Sequence, residues 1–306
     1  MKLAIIGLGK MGANMARRLH LAGHDIVAFN RSPEKTNELA KEIKVEPAYS
    51  LEETVQKLDP PRILWTMVPS GETTEYIISE LSNLIDPGDI IIDGGNSYYK
   101  DSIRRSGLLN RKKISFLDVG VSGGIWGLTK GYSLMIGGED KDIQYLKPIF
   151  RTLAPSENNG WGRVGPAGAG HYTKMIHNGI EYGMMEALAE GFDLLQAKKE
   201  FGFDLMNVAK IWQEGSVIRS WLLDLSVTSL EDDQSLSETA GYVEDSGEGR
   251  WTIQESIDLE VPTPVITESL YRRFSSRQSD NFALKLLAAI RNKFGGHAIK
   301  SKRNNI

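Results

Sequence analysis

Hydrophobic positions in the first half of the chain come in short unbroken runs. KLAIIGLG (2–9), HDIVAFN (24–30), RILWTMVP (62–69), DIIIDGGN (89–96), SFLDVGVSGG (115–124) and YSLMIGG (132–138) are the clearest. Each stops at glycine, proline or a polar residue, as strands buried on both faces do. Between the early runs the period lengthens. Met11, Met15, Leu19 and Ala22 recur at helical spacing before a C-cap at Gly23. Strands alternating with helices predict an α/β domain with a doubly wound, mostly parallel sheet. From Gly165 the pattern changes. A glycine-rich start leads into one long helix reaching about Lys199, and further helices follow, broken by an acidic stretch at 229–251. The chain therefore divides into residues 1–165, an α/β domain, and residues 166–306, an all-α domain.

The first strand and helix are joined by Gly7-Leu8-Gly9-Lys10-Met11-Gly12, a Gly-x-Gly-x-x-Gly turn. Glycines let backbone turn tightly and approach a pyrophosphate, while the helix start supplies amides and a positive dipole end. Strand, turn, helix and strand in this order predict a Rossmann-type dinucleotide site. The second strand ends at Asn30, followed by Arg31, Ser32 and, farther on, Lys35. NAD sites usually place an acid there for the ribose 2′-hydroxyl. A guanidinium with no acid suits a 2′-phosphate, so NADP is expected, with NAD possible. The same residues also read simply as a helix start, with Ser32 as N-cap and Pro33 at N1. Ligand loops belong at the carboxyl ends of strands, which singles out Val68-Pro69, Gly94-Gly95-Asn96 and Ser122-Gly123-Gly124.

The long helix carries KMIHNGIEYG at 174–183. Lys174, His177, Asn178 and Glu181 fall at i, i+3, i+4 and i+7 and share a face. Periodicity alone favours an ordinary amphipathic helix. Two features count against it. The polar face is narrow and flanked by Gly179 and Gly183, and the residue types make a working set of base, acid and hydrogen-bonding partners.

Composition narrows the reading further. The net charge is −4, from 36 basic and 40 acidic residues, which argues against nonspecific nucleic-acid binding. There is no cysteine, so disulfides, thiolate metal sites and thiol nucleophiles are excluded, and no metal site is expected. No apolar run approaches a membrane span, and the first strand begins at once, so a cytoplasmic protein is expected.

GLGKMG, NRS, DGGNSYYKDS, DVGVSGG, GAGHYTKMIHNGIEYG, GEGRWT, RRFSS and RNKFGGHAIK, in this order, resemble the decarboxylating 6-phosphogluconate dehydrogenases in their shorter bacterial form. The resemblance covers nearly the whole chain. The wider β-hydroxyacid dehydrogenase superfamily shares the glycine turn, the serine-glycine-glycine loop and the lysine. Its simpler members lack the His-Asn-Gly-Ile-Glu-Tyr continuation.

The resemblance implies oxidative decarboxylation of 6-phosphogluconate to ribulose 5-phosphate, in the pentose phosphate pathway. Lys174 would take the C3 hydroxyl proton as hydride leaves for the nicotinamide. Protonated Lys174 would then polarise the 3-keto group while CO2 leaves, and Glu181 would protonate C1. Lys174 and Glu181 stand about 10 Å apart along the axis, matching work at two carbons of one extended sugar acid. Ser122, Gly123 and Gly124 would hold the sugar-acid end. Asn96, His177 and Asn178 would fix hydroxyls, with Asn96 also near the nicotinamide. Tyr182, Arg250, Thr252, Arg272 and Arg291 would hold the phosphate, and His297 would reach the substrate. Between Arg272 and Arg273 the expectation favours Arg272, with a salt-bridging role for Arg273. Arg291 and His297 would come from a partner subunit, so a homodimer or larger assembly is expected. Arg250 departs from the usual lysine of GKWT. Two rival readings are a non-decarboxylating hydroxyacid dehydrogenase on an unphosphorylated substrate and a nonenzymatic NADP sensor. The basic set counts against the first, and intact Lys174 and Glu181 count against the second.

Overall fold

The computed structural model describes residues 1–300. Among these, one sheet holds β1 (Lys2–Ile6), β2 (Asp25–Phe29), β3 (Glu46–Ala48), β4 (Ile63–Thr66), β5 (Ile90–Asp93), β6 (Ser115–Ser122), β7 (Ser133–Gly137) and β8 (Trp161–Gly165). Its connections contain α1 (Lys10–Leu21), α2 (Pro33–Glu42), α3 (Leu51–Gln56), α4 (Glu72–Leu84), α5 (Tyr99–Arg111), α6 (Gly127–Lys130) and α7 (Asp140–Leu153). The strand order is β3-β2-β1-β4-β5-β6-β7-β8. Every neighbouring pair is parallel except β6 and β7.

The central strands of the sheet are buried on both faces because both sets of alternate residues are mostly apolar. Leu3 and Ile5 of β1 pack with Met15 and Leu19 of α1 and with Ile149 and Phe150 of α7. Ala4 and Ile6 point the other way, into a layer with Val55 of α3, Ile78 and Leu81 of α4 and Leu109 of α5. The sheet is thus a doubly wound α/β layer structure. Strands β3 and β8 escape the hydrophobic-run criterion. Both are edge strands, the first carrying Pro47 and the second glycine-rich and part-exposed.

The helices of the second half are α8 (Ala169–Ala197), α9 (Leu205–Gln213), α10 (Trp221–Asp232), α11 (Glu248–Asp258), α12 (Pro264–Ser276) and α13 (Phe282–Gly295). Two compact units result, Met1–Gly179 and Ile180–Ile306. The division falls inside α8, beyond the composition break at 165/166, because the first turns of α8 are welded to the sheet. Leu205, Ala209, Leu223, Val227 and Leu230 form a separate small core on α9 and α10. No helix among the described residues is long and apolar enough to cross a membrane.

Two neighbouring arginines of α5 lock α4 against the sheet. Arg104 grips Glu75 at 2.8 and 2.6 Å, and Arg105 Nε adds a third bond at 2.9 Å. These guanidiniums, Arg104 foremost, hold the Glu75 carboxyl down to about 2. A depressed folded-state value stabilises the fold above the ordinary carboxylate range, and that contribution is lost as pH falls toward 2. Glu75→Gln should therefore melt below the parent protein at neutral pH. The gap in Tm should close as pH is lowered from about 4.5. A pH-independent gap in thermal unfolding would contradict this.

Candidate active site

The three glycines of the first turn serve different needs. Gly7 has φ +99°, and a Cβ there would lie 2.5 Å from the Met67 carbonyl oxygen. At Gly12 a Cβ would come within 2.0 Å of the Gly7 carbonyl oxygen. Gly9 has φ −68°, which any residue adopts, and a Cβ would meet nothing within 4 Å. It is the N-cap of α1, a helix with no side-chain cap and no acid in its first turn. Open space before uncapped amides fits the pyrophosphate of a dinucleotide. Leu8 is buried, and Met11 packs against the core.

Asn30 has a structural task that its position at the end of β2 did not reveal. Its Oδ1 accepts the Leu8 N–H at 2.9 Å, so this side chain braces the glycine turn. Its Nδ2 donates to the Ser32 carbonyl at 3.2 Å. Ser32 occupies the N-cap position of α2, but its hydroxyl makes no cap bond. Arg31 is exposed and has no hydrogen bond or ion pair among the described residues. A cation and a hydroxyl are therefore presented together where a ribose 2′ substituent would lie.

The turns after β1 and β4 adjoin at the point where the strand order reverses, the usual ligand crevice of such sheets. Val68 is half-buried there and Pro69 is exposed. The Pro69 carbonyl accepts the Thr74 hydroxyl at 2.8 Å, which fixes the turn to α4. After β5, the buried Asp93 organises the next loop. Its carboxylate accepts Gly95 N–H (3.1 Å), Ser97 Oγ (2.7 Å) and Arg105 Nη1 (3.3 Å). Asn96 stands exposed between those anchored neighbours.

Asp118 of β6 fastens the start of α8. Its Oδ1 accepts Gly168 N–H at 2.6 Å and its Oδ2 accepts His171 N–H at 2.8 Å. The helix comes so close that a Cβ on Gly170 would lie 2.3 Å from the Asp118 carbonyl oxygen. A Cβ on Gly120 would lie 2.4 Å from that of Lys174. His171 is buried and its Nδ1 pairs with Ser102 Oγ of α5 at 2.7 Å.

The strand β6 and helix α8 thereby bring four predicted residues together. Lys174 Nζ, on a side chain only 7% exposed, donates to Asn178 Oδ1 at 2.5 Å. His177 Nδ1 lies 3.1 Å from the same oxygen and 3.4 Å from Lys174 Nζ. Its Nε2 faces Ser122 Oγ at 3.4 Å. With the proton on Nδ1 bonded to Asn178, Nε2 is left to accept the Ser122 hydroxyl. Beyond Ser122, Gly123 and Gly124 have φ +141° and +51°, a curl that ends β6. The set places a buried amine beside an amide, an imidazole and a hydroxyl, groups that can hold a polar ligand.

In the second unit, Glu181 is half-buried and Tyr182 buried. The Tyr182 hydroxyl accepts Ser246 N–H at 3.0 Å and pairs with Ser246 Oγ at 3.1 Å. Arg273 stacks on its ring with Cζ 3.5 Å from the centroid. Arg272 instead pairs with Glu186 at 3.2 Å. Of the two neighbouring arginines, Arg273 thus lies against Tyr182 and Arg272 makes a salt bridge. Arg250 forks onto Asp245. Thr252 is buried, its hydroxyl donating to the Glu248 carbonyl one turn back at 2.8 Å. Arg291 and His297 are exposed and share no hydrogen bond or ion pair with Tyr182 among the described residues. Sequence reading passed over Asp93, Asp118 and Asp245. An acid inside an otherwise apolar strand is a readable signal for the first two.

The glycine turn at the sheet's switch point, in a chain that also buries Lys174 against Gly120 of β6, defines a dinucleotide-binding dehydrogenase fold. Residues 2–162 match the NAD binding domain of 6-phosphogluconate dehydrogenase, and residues 170–304 match that family's C-terminal domain. The chain belongs to the 6-phosphogluconate dehydrogenase family of oxidoreductases. Bacillus subtilis YqeC, provisionally named a 6-phosphogluconate dehydrogenase, is 43% identical over 302 residues, covering 99% of this chain and 100% of that protein. The Haloferax volcanii NAD(+)-dependent decarboxylating 6-phosphogluconate dehydrogenase is 40% identical over 303 residues, 99% of each chain. The Plasmodium falciparum 6-phosphogluconate dehydrogenase, solved in apo, NADP+ and 6-phosphogluconate forms, superposes with a TM-score of 0.84 at 29% identity. That match covers 100% of this chain and 67% of the longer one.

The glycine geometry separates folding from ligand binding. Gly9→Ala should leave Tm unchanged and weaken cofactor binding at least about tenfold in a fluorescence titration. Gly12→Ala should lower Tm as well, because its Cβ collides with backbone. Unimpaired cofactor binding by Gly9→Ala would remove that glycine from the pyrophosphate cradle.

Proposed function

We propose that the protein oxidatively decarboxylates 6-phosphogluconate to ribulose 5-phosphate and CO2 with NADP. The observation that carries this reading is the buried Lys174–Asn178–His177–Ser122 cluster in a chain of this family. Gly7, Gly9, Gly12, Arg31 and Ser32 would hold the dinucleotide, with Val68, Pro69 and Asn96 at its nicotinamide side. When bound, the nicotinamide supplies the acceptor for hydride from C3 of the substrate.

Lys174 takes the proton of the C3 hydroxyl, with Asn178 fixing its amine and His177 fixing Asn178. Protonated Lys174 then stabilises negative charge growing on the C3 oxygen as the carboxylate beta to it departs as CO2. Glu181 delivers the proton that C1 needs in the resulting enediol. Ser122, Gly123 and Gly124 receive the acid end of the substrate, and the arginines with Tyr182 and Thr252 its phosphate. The preference for NADP rests on Arg31 and on the commitment of Asn30 to the glycine turn. It differs from the cofactor in the Haloferax relative's name.

A homodimer or larger assembly is the second part of the proposal. Helix α13 buries no side chain among the described residues, although Phe282, Leu284, Leu287, Ile290 and Phe294 are each more than half exposed. An apolar helix of this kind is covered in a stable soluble protein. A partner seated there would also bring Arg291 and His297 to a neighbouring subunit.

Absorbance at the reduced-nicotinamide band with 6-phosphogluconate should rise faster with NADP than with NAD. No reduction with either would sink the activity, and a strong NAD preference would sink the Arg31 argument. Lys174→Met should cut turnover by about 100- to 10,000-fold while binding cofactor normally. Near-normal turnover would reassign the base. In sedimentation the protein should be dimeric or larger and Leu287→Glu should shift it toward monomer, whereas a monomeric parent would exclude the shared site.

A further inference from the structure

The second unit contains a charged cluster of which the sequence singled out only Arg250. Asp245 is 4% exposed. Its Oδ1 accepts Arg250 Nε at 2.7 Å, and its Oδ2 accepts Arg250 Nη2 and Arg277 Nη2, each at 3.0 Å. Both guanidiniums also lie against one aromatic ring. Arg250 Cζ is 4.6 Å and Arg277 Cζ 5.2 Å from the Phe274 centroid. Arg250, Phe274, Arg277 and Gln278 line a shallow cavity of about 360 Å³ that is largely open to solvent.

Charge and donor counting give this cavity a polarity. Two guanidiniums against one carboxylate leave one positive charge uncompensated. The fork to Asp245 uses Nε and Nη2 of Arg250, so Nη1 remains to donate elsewhere. Arg277 spends one N–H on Asp245 and keeps the others. Gln278 turns its carbonyl oxygen to Asn281 Nδ2 at 2.8 Å, which leaves its NH2 group as the free end. The lining is therefore rich in donors and carries net positive charge, the chemistry that binds a phosphomonoester dianion. Asp245 is held down to about 2 by its arginines, so the brace stays ionised at any working pH.

We propose that Arg277 is a direct ligand of the substrate phosphate, and that Asp245 is the positioning residue that aims Arg250 and Arg277 at it. This rests on the sugar-phosphate reading above and extends it to two residues outside the expected set. It also explains how arginine serves at position 250. A guanidinium clamped by a carboxylate and stacked on Phe274 loses little further freedom when it binds, unlike a free lysine.

Steady-state kinetics of the full-length protein, with 6-phosphogluconate varied at saturating cofactor, test this. Arg277→Gln should raise KM roughly 10- to 100-fold with little change in kcat, and weaken inhibition by inorganic phosphate in step. Arg277→Lys should recover part of the loss, because charge returns without the fork. Asp245→Asn should also raise KM, since the fork of Arg250 is loosened. Cofactor affinity should be unchanged in all three, since the glycine turn lies in the first unit. An unaltered KM and unaltered phosphate inhibition in Arg277→Gln would overturn the proposal. So would a fall in kcat alone, the mark of a merely structural role. If the parent protein does not turn over 6-phosphogluconate, the functional reading fails instead. Calorimetric titration with inorganic phosphate then still decides whether Arg277 binds phosphate.

Discussion

The carboxylate of Asp118 is the constraint on which the Lys174 cluster depends. It stands inside β6 with no exposure to solvent and takes two backbone N–H groups from the start of α8. A negative charge at a helix N-terminus is favourable, and here it also satisfies amides that would otherwise be orphaned. The consequence is geometric. The strand that carries Ser122 and the helix that carries Lys174, His177 and Asn178 have a fixed register. Gly120 and Gly170 permit the close approach that this register requires, since a side chain at either would meet backbone or Lys174.

Asp93 plays a comparable part for the loop after β5. Its contacts with Gly95, Ser97 and Arg105 leave Asn96 as the polar side chain facing outward. Arg105 connects this buried acid to Glu75 on α4. Buried acids in this sheet are thus paired, with backbone amides or guanidinium, as low-dielectric surroundings demand. Their value lies in holding loops still, so that ligands need not order them.

The second unit follows the same logic with the charges reversed. Its phosphate candidates are cations, and Arg250, Arg272 and Arg277 each meet a carboxylate while Arg273 meets an aromatic face. Such partners align a guanidinium without cancelling a whole cluster. Asp245 neutralises one of two charges and leaves the other for an anion.

Much was legible in the chain because it depends on local pattern. Unbroken apolar runs ending at glycine announce doubly buried strands, and the spacing of Gly7, Gly9 and Gly12 announces a dinucleotide turn. The stripe Lys174, His177, Asn178 and Glu181 follows from helical period alone. Edge strands β3 and β8 were not legible, because an edge needs less burial and tolerates proline and glycine. Nor was the task of Asn30, whose bond to Leu8 links residues 22 apart. What Arg272 and Arg273 each touch lay beyond pattern too. Adjacent helical residues point about 100° apart, and only the positions of Tyr182 and Glu186 choose between them. The sequence by itself determined the elements, the glycine turn and the chemical types on each face. Tertiary structure decided the distant pairings, Asp118 with the start of α8 and Asp245 with Arg277, because those partners are brought together by packing across long separations in the chain.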